Sequence, residues 1–252
     1  MSGPVKSNVV GAAPEGARDK ASAALAVREM FTSIAPRYDL LNHLLSFNVD
    51  RTWWWRAART FRQILALPNA RALDLCCGTG DMAFALRKRA AESSSQVIGA
   101  DFSRAMLQRA RAKSAKANAP GWIEADALNL PFPGEHFDLV TSAFGFRNLA
   151  DYDAGLCEIL RVLRPGGECG ILDCGKPKGV MGSFYQFYFK KIVPRIGTSI
   201  SGVRGPYAYL PASVERFPAP EEMLERMRQA GFAEASWTPY TFGIAGLFRG
   251  KK

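Results

Sequence analysis

One glycine-rich turn constrains the fold of this chain more than any other feature of its sequence. The segment reads LDLCCGTGD, in which a short apolar run ends at Gly78-Thr79-Gly80. Residues 78–83 fit the pattern G-x-G-x-x-A, which links a strand to a helix in sheets that bind nucleotides. The pattern therefore predicts a strand, a tight turn, and a helix whose amino-terminal end faces a ligand.

From residue 71 onward, strand-like and helix-like segments alternate over short links. The predicted strands are RALDLCC, QVIGAD, GWIEAD, HFDLVTSAF and ECGILDC, and the predicted helices are GDMAFALRKRAAE, SRAMLQRARAKSAK, DAGLCEILRVLRPGG and PAPEEMLERMRQAGF. Ser103 is expected to cap the second of these helices, and Gly231 to end the last. Two further strands, ASWTPYTF and GIAGLFRGK, form a hairpin turning at Phe242-Gly243. This alternation is typical of an α/β fold with a parallel sheet.

The flanking segments suggest one domain with a cap. Residues 1–24 are rich in Gly, Pro, Ser and Ala and are predicted to be a flexible tail, with a single domain over 25–252. Residues 25–66 form helices that break at Pro36 and restart with Asp50 or Thr52 as the cap. Residues 181–218 are dense in aromatics, Pro and Gly. We interpret 25–66 and 181–218 as a cap over an apolar site, and an ordinary helical insertion is the alternative for 181–218.

Composition excludes several functional classes. The apolar runs fall short of the roughly 18 residues that span a membrane, and the amino terminus lacks a secretion signal, so a cytoplasmic location is expected. Five cysteines and two histidines lack metal-ligand spacing, so no metal site is predicted. His43 and His136 are expected to pack rather than to react. The net charge of +10 permits attraction to nucleic acid or an anionic membrane without demonstrating either.

Two carboxylates bracket the glycine turn. Asp74 lies inside the strand, and Asp81 follows Gly80 directly. A dinucleotide places its pyrophosphate at the start of such a helix, where a carboxylate would repel it. S-adenosylmethionine has no phosphate and carries a sulfonium and an ammonium group, which acids attract. Each acid taken singly also has a structural explanation, but together they favour S-adenosylmethionine as the cofactor.

Acids also follow the next two strands. Asp101 closes the second strand about twenty residues after the turn, where a carboxylate accepts hydrogen bonds from ribose hydroxyls. Asp126 follows the third strand and can accept the adenine amino protons. The N–H group of Ala127 can then donate to the adenine ring, and Leu128 can pack on its face. A turn, a ribose acid and an adenine acid at three successive strands are much more specific than the turn alone.

These residues resemble class I S-adenosylmethionine-dependent methyltransferases, and more closely the ubiquinone/menaquinone biosynthesis C-methyltransferase family. The resemblance covers nearly everything beyond the tail. The segments that carry it, in the family's order, are MFTSIAPRYDLLNHLLSF, LDLCCGTGD, ADFSRAML, ADALNLPFP, FDLVTSAFGFRN, LRVLRPGG, PRIG and YLPASVERFPAPEEM…AGF. The FGFRN stretch together with the early RYD…N…SF stretch is its distinctive part.

The resemblance implies a Rossmann-like seven-stranded sheet whose last strand is antiparallel. It also implies C-methylation of a quinol ring, with demethylmenaquinol as the bacterial substrate. By matching positions, the resemblance implies cofactor contacts for Thr79, Asp101, Asp126 and Ala127. The glycines of the turn, Gly78 and Gly80, are candidate cofactor-binding residues beside them. Family members often have serine where this chain has Ala143, so a hydroxyl contact is lost there. The family's Arg-Asn pair falls on Arg147-Asn148, and its Tyr-Asp pair on Tyr38-Asp39.

The chemistry of ring methylation suggests roles for three of these residues. A ring carbon is a poor nucleophile unless a neighbouring hydroxyl pushes electron density into it, so the acceptor must be the reduced quinol. Arg147 can stabilise the developing phenolate or orient a water as proton acceptor, because its guanidinium stays protonated. Asn148 can orient that water or a quinol oxygen, and Tyr38 can hydrogen-bond the ring hydroxyl. A salt bridge, a helix cap and core packing are the respective structural alternatives.

Other functions stay open at this point. A ubiquinone precursor is the alternative substrate for the same chemistry. An RNA or protein methyltransferase, an inactive quinone-binding assembly protein and a nicotinamide oxidoreductase are the alternatives from other classes. The fourth strand carries neither the Pro-Cys pair nor the Asn/Asp-Pro-Pro-aromatic run of many nucleic-acid and amino-group methyltransferases, so no nucleic-acid partner is expected.

The expected partner is a polyprenylated quinol, whose tail lies in a membrane. Aromatic and basic residues of the cap are candidates for peripheral contact with the inner membrane face, namely Phe184, Tyr185, Phe187, Tyr188, Phe189, Lys190 and Lys191. The run Trp53-Trp54-Trp55 cannot face one way on a helix, so at least one ring should reach an interface or a ligand cleft, with core packing as the alternative. The sequence leaves a homodimer open.

Overall fold

Seven strands form one sheet in the computed structural model, which describes residues 11–12, 14, 16–90, 94–114, 119–177, 179, 182, 185, 187–193, 195 and 205–252. The strands are β1 (Arg71–Leu75), β2 (Gln96–Asp101), β3 (Gly121–Glu124), β4 (Phe137–Ala143), β5 (Leu163–Cys174), β6 (Glu234–Tyr240) and β7 (Ala245–Lys251). Their order is β3-β2-β1-β4-β5-β7-β6. Strands β1 to β5 pair in parallel, whereas β7 runs antiparallel to β5 and β6. The predicted sheet with its reversed last strand is confirmed.

The strand order places a ligand crevice at the end of β1. The chain first builds outward through β2 and β3, then returns to the other side of β1 through β4. Leu75, the last residue of β1, is aligned with Ala100 on β2 and with Ser142 on β4. The loops after these strands therefore leave on the same edge, and the point where the order reverses is where such sheets bind ligands.

Helices surround the sheet. They are α1 (Lys20–Ile34), α2 (Tyr38–Leu45), α3 (Val49–Thr60), α4 (Arg62–Leu65), α5 (Asp81–Arg89), α6 (Arg104–Lys113), α7 (Tyr152–Val162), α8 (Gly205–Arg216) and α9 (Pro220–Ala230). Single turns of 3₁₀ helix occur at Ala35–Arg37, Phe146–Asn148 and Thr241–Gly243, and a π-helical turn at Tyr188–Ile192. In the described part of the chain, no helix has the length and apolar character needed to cross a bilayer.

The two faces of the sheet bury separate cores because side chains alternate along each strand. On β4, Leu139 packs with α3 and α5, whereas Val140 packs with α7 and α9. The first core holds the buried side of α3 together with Phe61 and Leu65 from the segment that follows it, and the second holds Leu156 of α7. This three-layer packing fixes the strand ends that carry the site.

Two predicted helix boundaries are wrong. Neither Asp50 nor Thr52 caps α3, which begins at Val49 after Asn48, a residue with a φ of 60°. The Asp50 carboxylate instead accepts hydrogen bonds within the cap, and the Thr52 hydroxyl donates to the carbonyl of Val49. Helix α7 ends at Val162 rather than at residues 165–167, because the next residue already pairs with β4 and begins β5.

Of the other predicted boundaries, two agree with the structure and two differ. Gly231 ends α9 with a φ of 108°, and the β6–β7 hairpin turns at Phe242-Gly243. Ser103 occupies the residue before α6, but its hydroxyl bonds Thr32 at 3.1 Å and makes no cap. Helix α1 begins at Lys20, within the residues assigned to the tail, where Asp19 and Ser22 form a capping box. The predicted tail also includes residues 1–10, 13 and 15, which lie outside the described residues.

Candidate active site

Two clefts open at the carboxyl edge of the sheet and meet. The first covers about 790 Å³, including solvent space at its mouth, over the ends of β1 and β2 and the loop after β3. The second covers about 1650 Å³, likewise open to solvent, between the ends of β1 and β4 and the cap. Four residues line both clefts, namely Tyr38, Cys76, Gly78 and Phe144. A ligand in the first cleft can therefore present one end to a second ligand in the other.

The glycine turn forms the floor between the clefts. Gly78 and Gly80 have φ values of 55° and 93°, which side chains rarely adopt. A Cβ atom on Gly80 would also lie 2.4 Å from the ring of Trp122. The turn closes through the N–H of Gly80, which donates to the carbonyl of Cys77 at 2.8 Å. Helix α5 starts immediately afterwards, so its amino-terminal end faces the clefts.

Asp101 anchors this turn to the end of β2. Its carboxylate accepts from the N–H of Gly78 and from the N–H of Ser103, both at 2.8 Å. The side chain is buried, and burial raises the pKa of Asp101 to about 6 despite these hydrogen bonds. Two carboxylate oxygens offer about four acceptor positions, so two bonds leave capacity for ligand hydroxyls.

The loop after β3 completes the first cleft. Asp126 accepts from the N–H of Leu128 at 2.9 Å, in a turn that buries Ala127. All three residues line the first cleft, as does Asn148. The side-chain oxygen of Asn148 is buried and has no hydrogen-bond partner within the described protein. Such an oxygen is costly to leave unmatched, so it favours a ligand with a donor group.

A lysine compensates two acids at the rim. The ammonium of Lys113 lies 2.7 Å from a carboxylate oxygen of Asp39 and 3.1 Å from one of Asp81. It also donates to the hydroxyl of Thr79 at 2.9 Å, and that hydroxyl donates to Asp39. Two carboxylates thus face one ammonium, which leaves one net negative charge beside the turn.

Asp74 adds a buried carboxyl beneath the turn. One oxygen accepts from the hydroxyl of Thr141 at 2.8 Å, and the other has no partner among the described residues. Burial raises the pKa of Asp74 to about 7, and the hydrogen bond from Thr141 offsets this only in part. The residue is fully covered, so its carboxyl acts on the site through its charge.

Arg147 lies in the wall of the second cleft and is held by a buried partner. Its guanidinium lies 2.9 Å from the carboxylate of Asp173, and the two side chains are 7% and 0% exposed. Burial alone would lower the pKa of Arg147, but Asp173 raises it above the ordinary value. The guanidinium also donates to the carbonyl of Phe144. Its Nε–H group is buried and has no partner within the described protein, which leaves a donor for a ligand oxygen.

Aromatic rings form the remaining walls of the second cleft. Tyr38, Trp53, Trp54, Tyr185 and Tyr188 all line it. The indole N–H of Trp53 donates to Thr241 at 2.8 Å, which fixes that ring. The prediction that a ring of the tryptophan run reaches a cleft is therefore confirmed. Of the predicted cap residues 181–218, residues 181, 183–184, 186, 194 and 196–204 and the side chains of Phe189, Lys190 and residues 205–208 lie outside the described residues.

The structure gathers nearly all of the predicted site residues at these clefts. Gly78, Asp101, Asp126 and Ala127 line the first cleft, and Thr79 and Arg147 the second. Tyr38 borders both clefts. Asn148 borders the first cleft rather than the wall that carries Arg147, and Gly80 supports the turn from below without lining either.

Two site residues were missed by the sequence reasoning, Asp173 and Lys113. Asp173 had a signal, because an acid inside the apolar strand ECGILDC repeats the pattern of Asp74 in LDLCC. Lys113 had none, because it lies among the many basic residues of α6. In the part of the chain that the structure describes, no group of three metal-ligating side chains is assembled.

The first cleft fits a nucleoside with a cationic tail. Its lining is apolar apart from a few polar groups, which include Asp101 as a carboxylate for ribose hydroxyls. The acids at the helix start line the adjoining second cleft, and among the described residues at the turn the lysine that faces them is Lys113. A pyrophosphate at the helix start would be repelled by Asp81. S-adenosylmethionine has the matching charge, and its adenosine and methionine ends match the two arms of the site.

Comparison with known proteins gives the same result from independent data. The model of the ubiE/COQ5 methyltransferase family matches residues 18–252. Demethylmenaquinone methyltransferase of Deinococcus radiodurans is 48% identical over 236 residues, covering 93% of this chain and 95% of the relative. The enzyme of the same name from Thermus thermophilus is 49% identical over 227 residues, covering 88% of this chain and 100% of the relative.

A more distant relative carries a broader name. The ubiquinone/menaquinone biosynthesis C-methyltransferase UbiE of Geobacter sulfurreducens is 42% identical over 230 residues, covering 90% of this chain and 88% of the relative. Among solved structures, an S-adenosylmethionine-dependent methyltransferase of Thermotoga maritima, a possible histamine N-methyltransferase, superposes with a TM-score of 0.60 at 20% identity. It covers 89% of this chain and 99% of that one, and at this identity it supports the fold alone.

Proposed function

The chain belongs to the ubiE/COQ5 methyltransferase family, and we propose on that premise that it methylates a ring carbon of demethylmenaquinol in menaquinone biosynthesis. It is an S-adenosylmethionine-dependent methyltransferase. The names of the Deinococcus and Thermus relatives support the menaquinol precursor as the substrate. The broader name of the Geobacter relative supports a ubiquinol precursor as the second candidate.

We assign the first cleft to the cofactor. Asp101 would hold the ribose, and Asp126, Ala127 and Leu128 would hold the adenine, as their positions at the strand ends allow. The methionine end would lie at the glycine turn near Thr79 and Asp81. Bound there, S-adenosylmethionine supplies a methyl group already activated by its sulfonium.

The position of Arg147 supports a quinol as the methyl acceptor. Asp173 fixes its guanidinium in the wall of the second cleft, and its unpartnered Nε–H is a donor that the protein leaves unused. A quinol hydroxyl that loses its proton becomes a phenolate, and a fixed cation in a water-poor cleft stabilises that charge strongly. Because Arg147 stays protonated, it stabilises the phenolate and does not itself take the proton.

Tyr38 and Asn148 serve different ends of the reaction. Burial raises the pKa of Tyr38 to about 12, so its hydroxyl keeps its proton and can donate to a ring oxygen. Tyr38 borders both clefts, which places it where the two ligands meet. Asn148 borders the cofactor cleft, and its buried, unmatched oxygen suits an amino or hydroxyl donor of the cofactor better than the quinol.

We further propose that the cap touches a membrane surface while the quinol ring enters the second cleft. Four apolar side chains near its mouth face solvent: Leu40 is 61% exposed, Leu44 47%, Phe47 73% and Phe187 59%. Leu40, Leu44 and Phe47 follow helical spacing along α2 and its end, and Phe47 also lines the cleft. The prenyl tail of the substrate can pass from the bilayer along this face.

Labelled S-adenosylmethionine tests the proposal. The enzyme is incubated with chemically reduced demethylmenaquinol, and in parallel with the demethoxy ubiquinol analogue and with the oxidised quinone. We expect label transfer to the reduced naphthoquinol at a higher kcat/KM than to the ubiquinol analogue, and no transfer to the quinone. Preferential labelling of the ubiquinol analogue would identify a ubiquinol precursor as the substrate instead. Labelling of RNA alone would refute the proposed function.

A further inference from the structure

The proposed function leaves the proton of the quinol hydroxyl without an acceptor. Arg147 and Tyr38 both keep their protons. Three carboxylates line the second cleft, Asp50, Asp74 and Asp81. Asp81 already faces the ammonium of Lys113, and Asp74 is fully covered beneath the glycine turn. Asp50 is the carboxylate that comes from the cap side, on the same helical segment as Trp53 and Trp54.

Asp50 is held by two hydrogen bonds. One carboxylate oxygen accepts from the N–H of Arg51 at 2.8 Å, and the other lies 2.9 Å from Nδ1 of His43. The Asp50 side chain is 6% exposed, whereas that of His43 is 30% exposed. With its proton on Nδ1, the His43 ring donates to Asp50 and fixes the plane of the carboxylate. The ring itself packs edge-on against Trp54, with centroids 5.8 Å apart.

We propose that Asp50 is the catalytic base that takes the quinol hydroxyl proton, and that His43 is the positioning residue that orients it. This rests on the proposed function, because it concerns the same ring and the same cleft. The predicted packing of His43 agrees with its ring contact to Trp54, and the proposal adds a positioning role to it. Each carboxylate oxygen accepts two hydrogen bonds, so an acceptor position on Asp50 is left for the hydroxyl.

Methyl transfer begins with loss of the quinol hydroxyl proton. The hydroxyl O–H bond breaks, its proton goes to Asp50, and the electron pair moves through the ring to form the bond from the ring carbon to the methyl group. The pair of the old S–C bond stays on sulfur. Asp50 then returns its proton to the ring oxygen while the methylated carbon loses its hydrogen as a proton to water. One proton is released per turnover, and Asp50 is regenerated.

The bond between His43 and Asp50 also joins α2 to α3, so a purely structural role must be separated from the proposed one. Asp50→Asn keeps the shape and removes the base, and we expect kcat to fall about 10²-fold or more while the calorimetric Kd for S-adenosylmethionine stays within about twofold. Added formate should restore turnover to Asp50→Gly, because a small carboxylate can occupy the vacated position. Asp153→Asn, on the exposed surface of α7, is the matched control and should leave both values unchanged.

His43 supplies the second test if a variant at Asp50 does not fold. His43→Gln keeps a donor for Asp50 and should retain most of kcat, whereas His43→Leu removes the donor and should lower kcat about tenfold. His136→Gln, at the opposite end of β4, is the matched control. A native kcat in Asp50→Asn would overturn the assignment of the base. So would folded variants in which formate does not restore the turnover of Asp50→Gly and the kcat values of His43→Gln and His43→Leu are equal. Absence of label transfer in the native enzyme would instead overturn the proposed function.

Discussion

Among changes to the site, we expect the largest loss of stability when Asp173, the charged partner of the buried Arg147, is replaced. Asp173→Asn keeps an oxygen near Arg147 but removes the charge that the guanidinium faces at 2.9 Å, with side chains 7% and 0% exposed. Breaking a buried pair by removing one partner costs about 3–5 kcal/mol, because the remaining charge is buried without compensation. At about 2–4 °C per kcal/mol for a chain of this size, the melting temperature should fall by about 6–20 °C.

Thermal and urea unfolding measure this cost directly. Asp153→Asn breaks an exposed pair with Arg226 and should change stability by less than about 1 kcal/mol, which makes it the control. The double variant Arg147→Met with Asp173→Leu removes both charges, so most of the lost stability should return while turnover stays absent. A loss below about 1 kcal/mol in Asp173→Asn would show that Arg147 is not held as a buried charge, and the argument for its role in the cleft would fail with it.

Three further predictions concern charge in the site. Asp101→Ala should abolish calorimetric binding of S-adenosylmethionine, whereas Arg147→Ala should keep binding and lose turnover; equal loss of affinity in both would contradict these roles. Because burial raises the pKa of Asp74 to about 7, the folded protein holds this proton while the unfolded chain loses it near the ordinary value, so stability falls as pH rises from the unfolded to the folded pKa and then levels off. The melting temperature of Asp74→Asn relative to that of the native protein should therefore rise between about pH 4 and pH 7 and stay constant above, and a difference independent of pH over that range would count against this. Lys113→Met should increase the preference for S-adenosylmethionine over S-adenosylhomocysteine, because both ligands carry an ammonium but only the former has a sulfonium, and hence a net positive charge, to face the uncompensated acids. An unchanged ratio of the two dissociation constants would contradict this electrostatic preference.

The sheet could be predicted from the sequence because its signals are local. The alternation of strands and helices and the turn at residues 78–80 follow from periodicity and glycine content over short windows. The predicted helix boundaries failed where a partner outside the helix decides the outcome. Pairing with β4 ends α7 at Val162, and the contact with His43 of the preceding cap helix holds the Asp50 carboxylate away from a capping role.

The position of the site could be predicted for the same reason, but its internal partners could not. Residues at the ends of parallel strands meet at one edge, so Asp101 and Asp126 had to face the same cleft. The partners of Arg147 and Asp81 lie 26 and 32 residues away in sequence. Sequence spacing does not reveal such pairs, and they decide which charges are free for a ligand.

Those partners change the electrostatic argument for the cofactor. Asp39 and Asp81 face one ammonium, from Lys113, so the rim carries a single net negative charge. S-adenosylmethionine has one net positive charge, from its sulfonium, ammonium and carboxylate, whereas S-adenosylhomocysteine has none. The rim therefore attracts the donor and holds the demethylated product less strongly, since transfer of the methyl group removes the charge that the acids attract. Because Lys113 compensates one of the two acids, the rim keeps one unit of negative charge. This charge favours release of the product after each turnover.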